Sequence, residues 1–98
     1  MITDTRLVFF YVHRLTGRQR EVLNLTAEGL HNEAIATKLY IAPSVVAQHL
    51  SNIYGELGLL EELASTTPDR LLVIRLFAPF FDRHPELRGA ANPPEAPA

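Results

Sequence analysis

The stretch that most restricts what this chain can become runs from Asn32 to Leu57. There one helical pattern stops near Tyr40, three residues turn, and a second helical pattern opens at Pro43. Val46, Leu50, Ile53 and Leu57 fall at i, i+4, i+7 and i+11, a single apolar stripe along a helix. A turn this short gives the two helices no room to part, so the second must cross the first and bury its stripe there. Its other side is then left outward: Ser44, Ala47, Gln48, Ser51 and Gly55, with Val45 and Asn52 at the margin.

The flanks extend the helical reading. Thr16 followed by Gln19 has the spacing of a capping box, so a helix is expected from near Gly17, with Val22, Leu23, Thr26 and Ala27 inward and Arg18, Glu21 and Glu28 outward. Gly29 suits its left-handed stop. Asn32 is read as the cap of the next helix, with Ala34, Ile35, Ala36 and Leu39 inward, Ile41 as a buried plug in the turn and Pro43 at the first position of the third helix. Thr67, Pro68 and Asp69 repeat the start signal, predicting a fourth helix from about Pro68 toward Phe81 with Pro79 kinking or ending it. Leu71, Leu72, Val73, Ile74, Leu76, Phe77, Phe80 and Phe81 exceed the one stripe such a helix needs, so a partner helix is expected as its cover.

Leu7 to Val12 is too short for periodicity to decide, and its β-branched and aromatic content leans to a strand. It is read as an arm packed on the helices, an extra helix, or a segment pairing with a second copy. From Gly89 the chain turns to Ala, Pro, Asn and Glu, a composition that does not order itself. The expected division is an arm over 1–14, an all-α four-helix domain over 15–83 and a flexible tail over 84–98.

Charge argues against the most obvious use of such a scaffold. Duplex binding draws on lysine and arginine displacing counterions, yet the formal net charge is −2. From Leu15 to Leu59 the cations are Arg18, Arg20 and Lys38, against Glu21, Glu28, Glu33 and Glu56, and no lysine or arginine lies between Pro43 and Leu57. With no cysteine, the chain has no disulfide or thiolate metal site. His13, His31, His49 and His84 lack metal-ligand spacing, no glycine-rich phosphate loop is present, and no nucleophile has a recognisable base, so neither an enzyme nor a metal or other cofactor is expected. The longest apolar run is far below the ~20 residues of a membrane helix, and no leader opens the chain, so a cytoplasmic protein with no membrane partner is expected.

Leu15 and Thr16, the Arg20 to Leu23 segment, Ala27 to Gly29, Asn32, Ile35 and Ala36, Leu39, Ile41, Val46, His49, and Leu57 and Gly58 fall in one ungapped register. In that register the chain resembles the LuxR/GerE (NarL/FixJ) type of helix-turn-helix. The helix-turn-helix of sigma factor region 4 shares the leucine-threonine-x-arginine opening. The resemblance implies a four-helix transcriptional regulator whose third helix enters the major groove of double-stranded DNA and whose fourth pairs two copies. On that reading Gln48 and Asn52 meet adenine edges, Ser51 meets bases or phosphate, Val45 and Ala47 meet thymine methyls, and Arg18, Arg20, Lys38, Ser44 and His49 complete the DNA contacts. Leu71, Leu72, Ile74, Arg75, Phe77, Phe80 and Phe81 would form the homodimer interface.

The departures from the family pattern fall where it meets DNA. Val45 stands at a phosphate-binding threonine position, Ala47 at a base-reading lysine position, Glu33 and Glu56 at positions often basic, and Ala42 at the usual serine cap, a loss of about 1 kcal/mol. Gly55 adds a similar penalty inside the recognition helix. The alternative is a degenerate helix-turn-helix that serves as an association module toward a second copy or a protein partner. The sequence provides no receiver or autoinducer pocket, so a signal would arrive through pairing, a partner or abundance.

Overall fold

Helices begin where the sequence offers an oxygen to cap them. In the computed structural model, which describes residues 2–88, the Thr3 hydroxyl accepts the Arg6 N–H and opens α1 (Asp4–His13). Thr16 and Gln19 form the anticipated capping box at 3.1 and 2.9 Å and open α2 (Gly17–Ala27). Gly29 then takes a φ of +95°, the left-handed conformation that lets the chain turn away. α3 (Asn32–Leu39) and α4 (Pro43–Gly58) start from His31 and Ala42 without a side-chain cap bond. A 3₁₀ turn (Glu61–Leu63) leads to α5 (Arg70–Arg83) and the short α6 (Pro85–Arg88). Among the described residues there is no strand.

α2 lies at the centre, touching α3, α4 and α5. Its Val22, Leu23 and Ala27 meet the α4 stripe Val46, Leu50, Ile53 and Leu57 in one core with Ile35 and Ala36 of α3, all buried as the spacing required. Ala34 is exposed instead of inward, and Leu39 and Ile41 are half-buried, so Ile41 is a partial plug.

Leu7 to Val12 forms neither a strand nor an extended arm but most of a helix. Tertiary packing overrides its β propensity: Leu7, Phe10 and Tyr11, at i, i+3 and i+4, are buried. Phe10 lies 6.0 Å from Phe77, and Tyr11 meets Phe81 edge-on at 5.4 Å. Phe77 and Phe81 of α5 are therefore met by the chain's own α1, while Leu71 stays exposed.

α5 starts two residues later than expected, at Arg70, because Asp69 rather than Thr67 caps it, its carboxylate accepting the Leu72 N–H at 2.9 Å. It also runs through Pro79 to Arg83 without ending. An interior proline costs about 3 kcal/mol. Burial of the flanking Phe80 and Phe81, at about 1.5–3 kcal/mol each, offsets that cost. Asn32 is the first residue of α3 rather than its cap; its side-chain oxygen accepts from the Arg70 guanidinium, which also bonds the Leu30 carbonyl and ties α5 to the start of α3.

Residues 84–88, assigned above to the tail, are held to the domain. The buried Tyr11 hydroxyl donates to Asn24 Oδ1 at 2.8 Å and reaches the Leu87 carbonyl at 3.3 Å, while Asn24 Nδ2 donates to the Arg88 carbonyl. Burial pushes the Tyr11 phenol up to about 12, so it stays a donor at any physiological pH. The expectation of disorder from Gly89 onward lies outside the described residues.

Candidate nucleic-acid interface

α4 is clamped along one side and bare along the other. Ser44, Val45, Ala47, Gln48, Ser51, Asn52 and Gly55 are all exposed, opposite the fully used apolar stripe. The bare side carries amides, hydroxyls and methyl groups and no formal charge. Gln48 Nε2 donates to Asn52 Oδ1 at 3.3 Å one turn away, which leaves the Gln48 oxygen and the Asn52 amide nitrogen available outward. His49 is half-buried on the flank of the stripe, and its Nδ1 is buried without a hydrogen-bond partner.

The turn before α4 holds a residue that the sequence reading did not single out. Tyr40 closes α3 with φ 58° and ψ 44°, its N–H bonded to the Ala36 carbonyl, and its side chain is 94% exposed. A left-handed backbone at a residue other than glycine costs on the order of 1–2 kcal/mol. The signal was available, because a helix closed by a three-residue turn calls for one left-handed residue and none of Tyr40, Ile41 and Ala42 is a glycine.

The cations expected on phosphates divide. Arg20 is only 6% exposed; its guanidinium points inward and donates to the carbonyls of Leu15 at 2.8 Å and Val12 at 3.1 Å, closing the end of α1. It is thereby withdrawn from the phosphate set, for turning it outward would strand those carbonyls in the core. Arg18 is exposed and pairs with Glu21 at 3.1 Å, and Lys38 is exposed on α3. Elsewhere Arg6 pairs with Glu62, Arg83 with Asp4 and Arg88 with Asp82. With Arg20 and Arg70 engaged as described, six of the nine basic residues serve the chain's own structure.

The anticipated pairing surface also divides. Phe77, Phe80 and Phe81 are buried in this chain's own core and are corrected from interface to core residues, because Phe10 and Tyr11 of α1 meet Phe77 and Phe81, and Phe80 packs among Phe77, Phe81 and His84. Leu71 is 57% exposed, Leu72 and Ile74 are half-buried, and Arg75 is exposed. No helix of the described residues is long and apolar enough to cross a membrane.

The family described as bacterial regulatory proteins, luxR family, matches residues 13–64, from the end of α1 through the 3₁₀ turn. The Mycobacterium bovis protein named "Putative HTH-type transcriptional regulator Mb0914c" is 44% identical over 45 residues, covering 46% of this chain and 5% of that protein. The Mycobacterium tuberculosis protein named "Probable transcriptional regulatory protein NarL" is 45% identical over 51 residues, 52% of this chain and 24% of its own length. The Fimbriae Z protein of Escherichia coli K12 is 44% identical over 45 residues, covering 46% of this chain and 21% of that protein. The chain thus spans a quarter or less of these relatives' lengths. No solved structure matches significantly.

Proposed function

Because this chain belongs to the luxR family of bacterial regulatory proteins, we propose that it regulates transcription in the cytoplasm by laying α4 in the major groove of double-stranded DNA. The observation that carries this reading is the exposed outward side of α4, over which none of the described residues packs. Gln48, with a free acceptor and one remaining N–H, matches the N6 and N7 edge of adenine. Asn52, whose oxygen is already bonded, offers donors to an acceptor on a neighbouring base. Val45 and Ala47 supply apolar contact for thymine methyls, and Ser44 and Ser51 supply hydroxyls. Lys38 meets phosphate directly, Arg18 does so by exchanging Glu21 for the backbone, and His49 contributes through the ring nitrogen other than its buried Nδ1.

Two cations per copy imply a shallow salt dependence, a log-log slope of about −2 per copy. Selection from a random duplex pool, followed by salt titration on the enriched sequence, tests the proposal. Gln48→Ala is expected to weaken binding by about 1–3 kcal/mol and relax one base position, whereas Lys38→Ala weakens all sequences alike and flattens the slope by about 1. The association reading is favoured by one observation, the commitment of six of nine basic side chains to internal partners. A pool with no enriched sequence and a slope near zero decides for it.

A further inference from the structure

Gln48 and Asn52 are the side-chain amides of α4; both are exposed, and they are bonded to each other. A lone amide on a surface helix is an ambiguous reader, because a half-turn about its last bond exchanges its oxygen for its nitrogen. The bond from Gln48 Nε2 to Asn52 Oδ1 removes that freedom from both groups at once. It turns the Asn52 oxygen back along the helix and leaves both Asn52 N–H groups unused among the described residues. Gln48 keeps its oxygen and one N–H.

Separation matters as much as orientation. Bonded at 3.3 Å, the two amides are about as far apart as neighbouring bases along one strand, ~3.4 Å. They are spaced for two adjacent base pairs. Reach comes from what surrounds them. The Asn52 side chain is short, so its amide meets a base edge only if the helix backbone comes close. Ala47, Ser51 and Gly55, at i, i+4 and i+8, border the pair with small side chains or none. A Cβ at Gly55 would meet nothing within 4 Å in the described chain, so the fold does not itself require a glycine there, although glycine weakens a helix interior. Its missing side chain lets the backbone approach what α4 contacts.

Building on the major-groove reading of α4, we infer that Gln48 and Asn52 act as one reader of adjacent adenine and guanine bases. Gln48 accepts from adenine N6 and donates to adenine N7, its other N–H being held by Asn52. Asn52 presents N–H groups to the next base, where guanine offers two acceptors, O6 and N7. Adenine there would set its N6 amine against those N–H groups, cytosine would set its N4 amine, and thymine offers the single acceptor O4. Because each amide is oriented by the other, the two base preferences are coupled.

Selection of the full chain and its variants from one random duplex pool, followed by affinity measurements on the enriched duplex and its single-base replacements, tests this. The parent chain is expected to enrich adjacent adenine and guanine, with replacement of either base weakening binding about tenfold. Asn52→Ala should lose the guanine preference and relax the adenine preference as well, since the released Gln48 amide turns freely. Asn52→Asp keeps an acceptor for Gln48 but presents a carboxylate oxygen where the N–H groups stood, so guanine should give way to cytosine beside an unchanged adenine. These preferences are ratios between duplexes measured on one protein, so they do not depend on how much of a variant is folded. A parent sequence without the adenine and guanine pair, an Asn52→Ala chain that keeps its adenine preference, or an Asn52→Asp chain that still selects guanine would each overturn the inference and leave the groove reading standing. A parent chain that enriches nothing overturns both.

Discussion

α4 and α5 are the two longest helices among the described residues, 16 and 14 residues, and each contains a proline and a full apolar stripe. Their outward sides have opposite fates. α4 buries four aliphatic residues, holds His49, Tyr54 and Glu56 half-buried and leaves its polar side exposed among the described residues. α5 carries three buried phenylalanines, and α1 folds back onto two of them, Phe77 and Phe81. An uncovered polar face on a helix held by its other side marks a contact surface. An apolar excess marks a place where the chain itself supplies a partner.

The contrast breaks most visibly where the cover meets α5. Phe77, fully buried against Phe10, Phe80 and Phe81, is expected to cost about 3–5 kcal/mol as Phe77→Ala, read as a drop in the urea midpoint. Ser51→Ala on the bare side of α4 should stay within about 0.5 kcal/mol. Equal losses at the two sites would erase the distinction between covered and open helix.

A smaller effect, of opposite sign, is expected at the start of α4. Ala42 has the extended backbone of a capping residue, φ −73° and ψ 148°, but no oxygen with which to cap. Ala42→Ser should raise stability by about 1 kcal/mol in thermal unfolding without altering the selected DNA sequence. A change of sequence preference would show that the cap position touches the bases.

The smallest effect concerns how the cover is fastened. Hydrogen bonding from Arg83, and then from His84, holds the Asp4 carboxyl down to about 2 from 3.8. Because the folded value is the lower one, this tie stabilises above the unfolded value and is lost as pH falls through about 2. Melting curves of the parent chain and Asp4→Asn should differ slightly at neutral pH and converge between about pH 4 and pH 2. A large neutral-pH difference would mean that the ion pair, rather than the aromatic cluster, holds α1 in place.

Much of this was legible locally. The Thr16 and Gln19 capping box, the Gly29 stop, the Pro43 start and the four-residue stripe of α4 depend on residues within one or two turns, and each stands where its spacing put it. The exposed side of α4 followed as the complement of that stripe. Arg20 was illegible as a core residue because its partners are carbonyls, which every residue carries and no pattern marks. The end of the domain was misplaced for a related reason. Residues 84–88 are held by Tyr11 and Asn24 from far along the chain, through backbone oxygens again.

The amino-acid order alone determined the three central helices, the tight turn between α3 and α4 and the neutrality of the surface α4 turns outward, since period, caps and side-chain chemistry are short-range properties. Only the folded arrangement decided that Leu7 to Val12 is a helix, that Phe77, Phe80 and Phe81 belong to the core and that six of nine cations are already engaged. Those outcomes depend on which distant segments meet, and a six-residue apolar run takes its conformation from the surface that receives it.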